Sequence, residues 1–297
     1  MSETIIPAIH TISAPNWKDY ELIDTGEGSK LERFGNYTFL RPEAQAVWPA
    51  ALPRSSWEKA DAIFQTTGEE NGGHWKFNKI IPDNWLMQYM NIRFKVQAGG
   101  SRHLGVFPEQ AAHWDWMKGH IQNAKRQIKV LNLFGYTGLA TLTAASYGAL
   151  VTHVDASKKA VSWARENQTL SNLDQKPIRW MVDDALKFVE RENRRGTFYD
   201  GIMLDPPKFG RGPKGEVWEF FKLLPSLVQA CKSALSEKPS FFIMTAYAVK
   251  SSALTLHGTV KDLIDRFGGN IEVGELVTVE KSAGRLISNA IYARWSS

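Results

Sequence analysis

An acid followed by two prolines, Asp205, Pro206 and Pro207, stands directly after an apolar run at 201–204 and just before Lys208 and Phe209. Successive prolines fix φ and remove two backbone donors, so the carbonyls at the end of a buried strand are left to accept bonds from a substrate amine or ring. Asp205 offers a carboxylate for an amine, and Phe209 a ring able to stack on an unpaired base. Such a set suits a reaction in which the protein mainly aligns two partners while a cofactor supplies the leaving group.

A second group is the loop Leu131-Asn-Leu-Phe-Gly-Tyr-Thr-Gly138. Gly135 allows a tight turn from strand to helix, and Gly138 lets a ligand or the sheet approach the helix that follows. A dinucleotide fingerprint would need glycine where Leu133 stands, so the match to a nicotinamide site is poor. Asp155 follows twenty residues after Gly135, the offset at which a carboxylate accepts bonds from ribose hydroxyls; the alternative is an N-cap for the next helix. Asp183 and Asp184 end a third strand. One would meet an adenine amino group and the other cap a helix, and spacing does not say which.

These residues need an alternating framework. From residue 129 onward apolar runs at 130–134, 150–155, 178–183, 201–205 and 240–247 alternate with helical patterns at 137–147, 157–170, 185–194, 216–235 and 251–267. That is the pattern of a doubly wound parallel sheet. Two last strands, 271–279 and 289–295, are joined by 281–285, a connection short enough to force an antiparallel hairpin. Residues 1–108 are irregular and read as a small β-rich region with long loops. The division expected is 1–108 and 109–297, with substrate recognition as the candidate role of the first part. Seven of the eleven Trp fall before residue 117; they either fill a loop-rich core, the simpler reading, or stack on bases.

Composition narrows the setting. Residues 1–108 carry 11 Lys and Arg against 12 Asp and Glu, so the net charge of +5 arises in the second part. Lys208, Arg211 and Lys214 lie among Gly210, Gly212, Pro213 and Gly215 and read as a mobile basic loop able to clamp phosphates, or as an ordinary surface loop. The single cysteine, Cys231, allows no internal disulfide, and the histidines have no metal-ligand spacing, so no metal is expected. The apolar runs are too short to span a bilayer and residues 1–15 lack a basic signal region, pointing to the cytoplasm. Carbon methylation of a pyrimidine needs a thiolate that adds to the ring; Cys231 lies outside the motif segments, which disfavours it.

Taken together, Asn132 to Gly138, Asp155, Asp183-Asp184 and Asp205-Pro-Pro-Lys-Phe209 resemble the class I S-adenosylmethionine-dependent methyltransferases over residues 105–297. Within that class the N-L-F-x-Y-T-G and L-D-P-P-x-F motifs are most similar to the bacterial large-subunit ribosomal RNA methyltransferases. The chain departs from that group in having Pro108-Glu-Gln110 where relatives have Asp-x-Arg, and no PUA domain is recognisable in it. The resemblance implies an α/β, seven-stranded Rossmann-like sheet with S-adenosyl-L-methionine as cofactor. Its cofactor residues would be Glu109, Gln110, Asn132, Phe134, Gly135, Thr137, Gly138, Asp155, Ala156, Asp183, Asp184 and Asp205. The catalytic set would be Asp205, Pro206, Pro207, Lys208 and Phe209, acting on a base nitrogen of RNA, ribosomal RNA being the expected partner. Two other readings stay open: a methyltransferase for a small molecule or protein, and a non-catalytic nucleoside-binding module.

Overall fold

A computed structural model describes residues 6–67 and 72–297. The chain divides into two compact units, one formed by 1–12, 112–276 and 289–297, the other by 13–111 and 277–288. The expected single division at 108/109 is thereby corrected: the chain passes between units at 12/13 and 111/112, and again at 276/277 and 288/289.

The larger unit is built on a sheet of β1 (Ile9–Ile12), β2 (Lys129–Leu133), β3 (Leu150–Asp155), β4 (Ile178–Val182), β5 (Gly201–Leu204), β6 (Phe241–Tyr247), β7 (Asn270–Val279) and β8 (Leu286–Ser296). Their spatial order is β1-β7-β8-β6-β5-β2-β3-β4. The pairs β4/β3, β3/β2, β2/β5 and β5/β6 are parallel, and β8 lies antiparallel to β6. The sheet has eight strands and not the seven expected. The additional one, β1, pairs in parallel with Val273–Leu276 of β7. Four residues with mostly exposed side chains carry no alternation of their own, so only this distant register makes them a strand.

Central strands such as β5 and β6 are buried almost throughout because helices cover both faces. Alternate side chains point to opposite sides. Leu131, Ile202, Phe242 and Met244 meet α4 (Ala185–Arg194), α5 (Phe220–Ala234) and α6 (Ala253–Ile264) through Phe188, Leu227, Cys231 and Leu256. Val130, Met203, Phe241 and Ile243 meet α1 (Ala111–Asn123) and α2 (Leu139–Ser146) through Met117, Ile121, Ala144 and Ala145. The remaining helix, α3 (Lys158–Leu170), starts at Ser157, whose hydroxyl accepts from the Ala160 amide at 3.2 Å. At the opposite end of the sheet from the motif loops, Asp200 accepts from the Lys129 amide, Arg126 and Ser236, all within 2.8 Å. These bonds tie the starts of β2 and β5 together.

The smaller unit holds a five-stranded sheet of Tyr20–Gly26, Ser29–Phe34, Tyr37–Pro42, Ala62–Thr66 and Gly73–Phe77, with a separate hairpin of Trp85–Tyr89 and Ile92–Val96. Its tryptophans are structural, in line with the simpler reading. Trp17, Trp48, Trp57, Trp75 and Trp85 donate their indole N–H to Pro108 O, Thr25 Oγ1, Asp24 Oδ2, Ser101 O and Phe34 O at 2.8–3.0 Å. A buried Glu32–Arg41 pair, bonded at 2.7 and 2.8 Å, is closed by the Tyr20 hydroxyl. Among the described residues no helix is long and apolar enough to cross a membrane.

Candidate active site

The register of the sheet lines up Leu204, Leu133 and Val154 across β5, β2 and β3, and Asp155 with Val182 of β4. Each chain leaves the sheet just beyond, so Asp205, Phe134, Asp155 and Asp183 sit on four adjacent strand ends, about 4.8 Å from one to the next. Two bonds carry the ladder past the strands: Gly135 N to Val154 O and Asp183 N to Asp155 O, each 3.1 Å. Winding runs outward from β2 to β4 and then returns to β5 on its other side. The β2/β5 boundary is thus the switch point beyond which open α/β sheets bind ligands.

The loop after β2 is more strained than its glycines suggested. Phe134, Tyr136 and Gly138 have φ of 58°, 49° and 82°, so two of the three left-handed positions belong to residues that disfavour them. Gly135 starts the tight turn expected, its carbonyl accepting from the Gly138 amide at 3.0 Å, but it is not itself left-handed. A Cβ there would lie 2.4 Å from His153 Cε1: the glycine is needed because an imidazole fills the space. His153 is fully buried, its Nδ1 2.9 Å from Thr141 Oγ1, and Asn132 Nδ2 donates to the same hydroxyl at 2.9 Å. The Asn132 side chain is thereby used beneath the loop. Gly138 is required by α3, since a Cβ would meet Ala164 Cβ at 2.7 Å. Thr137 is buried and its carbonyl accepts from Asn167 at 3.0 Å.

Asp155 accepts from the Tyr136 amide through Oδ2 and from the Ser157 amide through Oδ1, both at 2.8 Å. The cap of α3 is Ser157, so Asp155 braces the loop and keeps one lone pair on each oxygen for hydroxyl donors. Burial raises its pKa against these two amide bonds, and burial, with the Asp155 charge adding to it, pushes the Tyr136 hydroxyl up to about 12. Ala156 lies half-buried between Asp155 and the cap. Of the next two acids, Asp184 caps α4 by accepting from the Lys187 amide at 3.0 Å. Asp183 accepts from the Asp184 amide at 2.9 Å and pairs with Arg191.

The Asp-Pro-Pro segment is only partly as expected. Asp205 is half-buried and Pro206 buried at the end of β5, while Lys208 and Phe209 are exposed. The Pro207 carbonyl is not free, because Trp218 Nε1 donates to it at 2.6 Å, and Lys208 O accepts from the Phe220 amide at 3.1 Å. Nor are 208–214 wholly irregular. Phe209–Arg211 pairs antiparallel with Val217–Glu219, and Glu216 fastens the turn by accepting from Lys187 Nζ at 2.8 Å and the Lys214 amide at 2.9 Å. Trp218, to which sequence reasoning gave no role, is buried, and its ring lies 5.0 Å from that of Phe134. A bulky aromatic inside a Gly-rich polar stretch was the available signal. Cys231 is buried in α5 with its thiol pushed up to about 12 by burial.

Glu109 and Gln110 belong to the smaller unit, in the 3-10 turn Pro108–Gln110. Glu109 is buried there, and after burial itself and Glu32 it raises the Tyr20 pKa.

The family model "Conserved hypothetical protein 95" matches residues 110–221. Ribosomal RNA large subunit methyltransferase K/L of Shewanella oneidensis is 42% identical over 171 residues, 56% of this chain and 23% of that protein. Ribosomal RNA large subunit methyltransferase I of Cronobacter sakazakii is 26% identical over 195 residues, 61% of this chain and 48% of that one. The chain spans less than half the length of the curated relatives it matches. A solved Streptococcus mutans chain, 17% identical with a TM-score of 0.70 over 94% of this chain and 76% of its own, has the same fold. The crystal structure of the SAM-dependent methyltransferase from Agrobacterium tumefaciens is 45% identical, with a TM-score of 0.92 over 98% of this chain and 94% of that chain. With so similar a relative matched along nearly its whole length, the chain belongs to the S-adenosylmethionine-dependent methyltransferases.

Proposed function

We propose that the protein methylates a base nitrogen of RNA, with large-subunit ribosomal RNA as the substrate class. The observation that carries this reading is the placement of Asp205, Pro206, Pro207, Lys208 and Phe209 one strand from the Gly135 loop, with Phe209 55% exposed. An exposed ring beside a methyl-transfer segment is suited to stacking on an extruded base. The names of the curated relatives support the substrate class.

The donor set fits a nucleoside cofactor. Asp155 offers two lone pairs to ribose hydroxyls, Asp183 an acceptor for an adenine amino group once Asp184 is taken by its cap, and the 134–138 loop a backbone turn for the amino-acid end. Phe134, Thr137, Gly138 and Ala156 line this path, and Glu109 and Gln110 are assigned to the cofactor by resemblance to the family. S-adenosylmethionine, when bound, supplies an electrophilic methyl group together with its own leaving group. What remains for the protein is alignment: Asp205 holds the acceptor amine or the cofactor ammonium, and the Pro206–Pro207 turn fixes where that carboxylate stands. No covalent adduct is needed at a nitrogen, and Cys231, buried in α5 with a raised pKa, is unsuited to forming one.

Tritiated methyl transfer into separated RNA, protein and metabolite fractions tests the acceptor class directly, and label in the RNA fraction is the expected result. Lys208, Arg211 and Lys214 then give a sharper check. If each contacts a phosphate, replacing all three by Ala should lower the salt slope of RNA binding by about 2, at roughly 0.7 per phosphate on a single strand. Cofactor affinity measured by calorimetry should stay unchanged. An unaltered salt slope, or label only in metabolites, would favour the small-molecule reading.

A further inference from the structure

Trp218 makes two contacts that lead to different parts of the site. Its indole N–H donates to the carbonyl of Pro207 at 2.6 Å, within the segment that ends β5. Its ring packs on Phe134, with centroids 5.0 Å apart and planes at 59°, and Phe134 begins the loop that ends β2. The indole is 4% exposed, so neither contact is exchanged for water. Phe134 is also one of the left-handed residues, at φ 58°. Such a conformation persists only where the surroundings hold it, and here Trp218 is part of what does so. The hairpin that carries Trp218 is itself anchored, through Glu216, to Lys187 on α4.

We infer that Trp218 is a positioning residue: it sets the separation between the loop that receives the cofactor and the Asp-Pro-Pro segment that receives the acceptor. The inference rests on the methyl-transfer reading above. A group that touches neither reactant still governs the rate if it fixes the approach of the reacting atoms, since small misalignments cost large factors. Trp218 reaches one segment by a hydrogen bond and the other by ring packing, so the two contacts can be removed separately.

Trp218→Phe keeps a ring for Phe134 and loses the bond to Pro207. It should lower kcat about tenfold, the order expected for one lost hydrogen bond acting on the aligned state. The Kd for S-adenosylmethionine should stay within about twofold, because Phe134 remains packed. Trp218→His keeps a ring N–H and should recover part of the loss; equal losses in the two variants overturn the assignment. A double-mutant cycle with Phe134→Leu supplies a further criterion. If the two rings act as one unit, the double variant loses no more than the worse single variant, whereas multiplied losses overturn it.

A readout without turnover uses amide exchange of Asp205 and of residues 208–211. In the parent, S-adenosylhomocysteine should slow this exchange by acting through Phe134 and Trp218, and in Trp218→Phe the slowing should vanish. Persistence of the slowing in a folded Trp218→Phe overturns the inference, and if that variant does not fold, Phe134→Leu at saturating S-adenosylhomocysteine carries the same comparison. A parent that binds neither S-adenosylmethionine nor S-adenosylhomocysteine overturns the methyltransferase reading, and this inference with it. A parent that binds and shows no coupling overturns only the role of Trp218.

Discussion

Replacing Gly135 by Ala should weaken S-adenosylmethionine binding at least tenfold and destabilise the larger unit by about 1–3 kcal/mol, the cost of forcing a methyl group into a filled site. The obstacle is specific. The added Cβ would stand 2.4 Å from Cε1 and 2.5 Å from Nδ1 of His153. That ring cannot swing aside freely, because Nδ1 is bonded to Thr141 and the ring lies 4.7 Å from that of Trp180. The backbone must yield instead, and the next residue is Tyr136, whose amide holds Asp155 at 2.8 Å. The carboxylate assigned to the ribose then loses its orientation together with the loop. Calorimetry and urea unfolding measure the two effects. Pairing Gly135→Ala with His153→Ala should restore part of the affinity, since it removes the ring that clashes. A Gly135→Ala protein with parental affinity would mean that the loop does not shape the cofactor site.

Acid should destabilise the same unit steeply. His113 and His153 are both buried, and burial holds both pKa values down to about 3, with Arg294 adding to the effect at His113. Unfolding returns them to about 6.5. The sign follows from linkage: a base whose folded pKa is depressed leaves the native state unprotonated while the unfolded chain takes up protons. The contribution is therefore complete above pH 6.5 and is lost as the pH falls towards 3. Each histidine costs about 1.4 kcal/mol per pH unit in that window, so the pair removes on the order of 4 kcal/mol between pH 6.5 and 5. Urea midpoints across this range measure it. His113→Leu should roughly halve the slope, and an unchanged slope would show that this ring is protonated in the folded state.

Much of the framework is legible because it is local. The strand at 150–155 and the helix at 185–194 appear with the bounds that their periodicity predicts, and Ser157 caps α3 as its position before a helical pattern suggests. The candidate acids are legible for the same reason, since strand ends in a parallel sheet are set by run length. What could not be read depends on distant partners. Nothing near Gly135 in sequence announces His153, eighteen residues on, as the reason for the glycine. The hairpin at 209–219 was hidden because its strands are three residues each, too short for alternation to register. Choosing between Asp183 and Asp184 needed cap geometry, and the part played by Trp218 needed both of its contacts in space.

The added edge strand β1 bears on how the chain folds. Ile9 and Val273 are partners, separated by about 260 residues, whereas β2 and β3 pair across about 20. Loop closure grows as the logarithm of the intervening length, so docking β1 costs about 2 kcal/mol more in chain entropy than pairing β2 with β3. Only four residues offset that cost, and three of their side chains face solvent. With three of its four side chains exposed, this edge should open more readily than the buried central strands. Each opening uncovers the ladder groups of β7, and a second, partly folded chain finds there a ready strand to pair with.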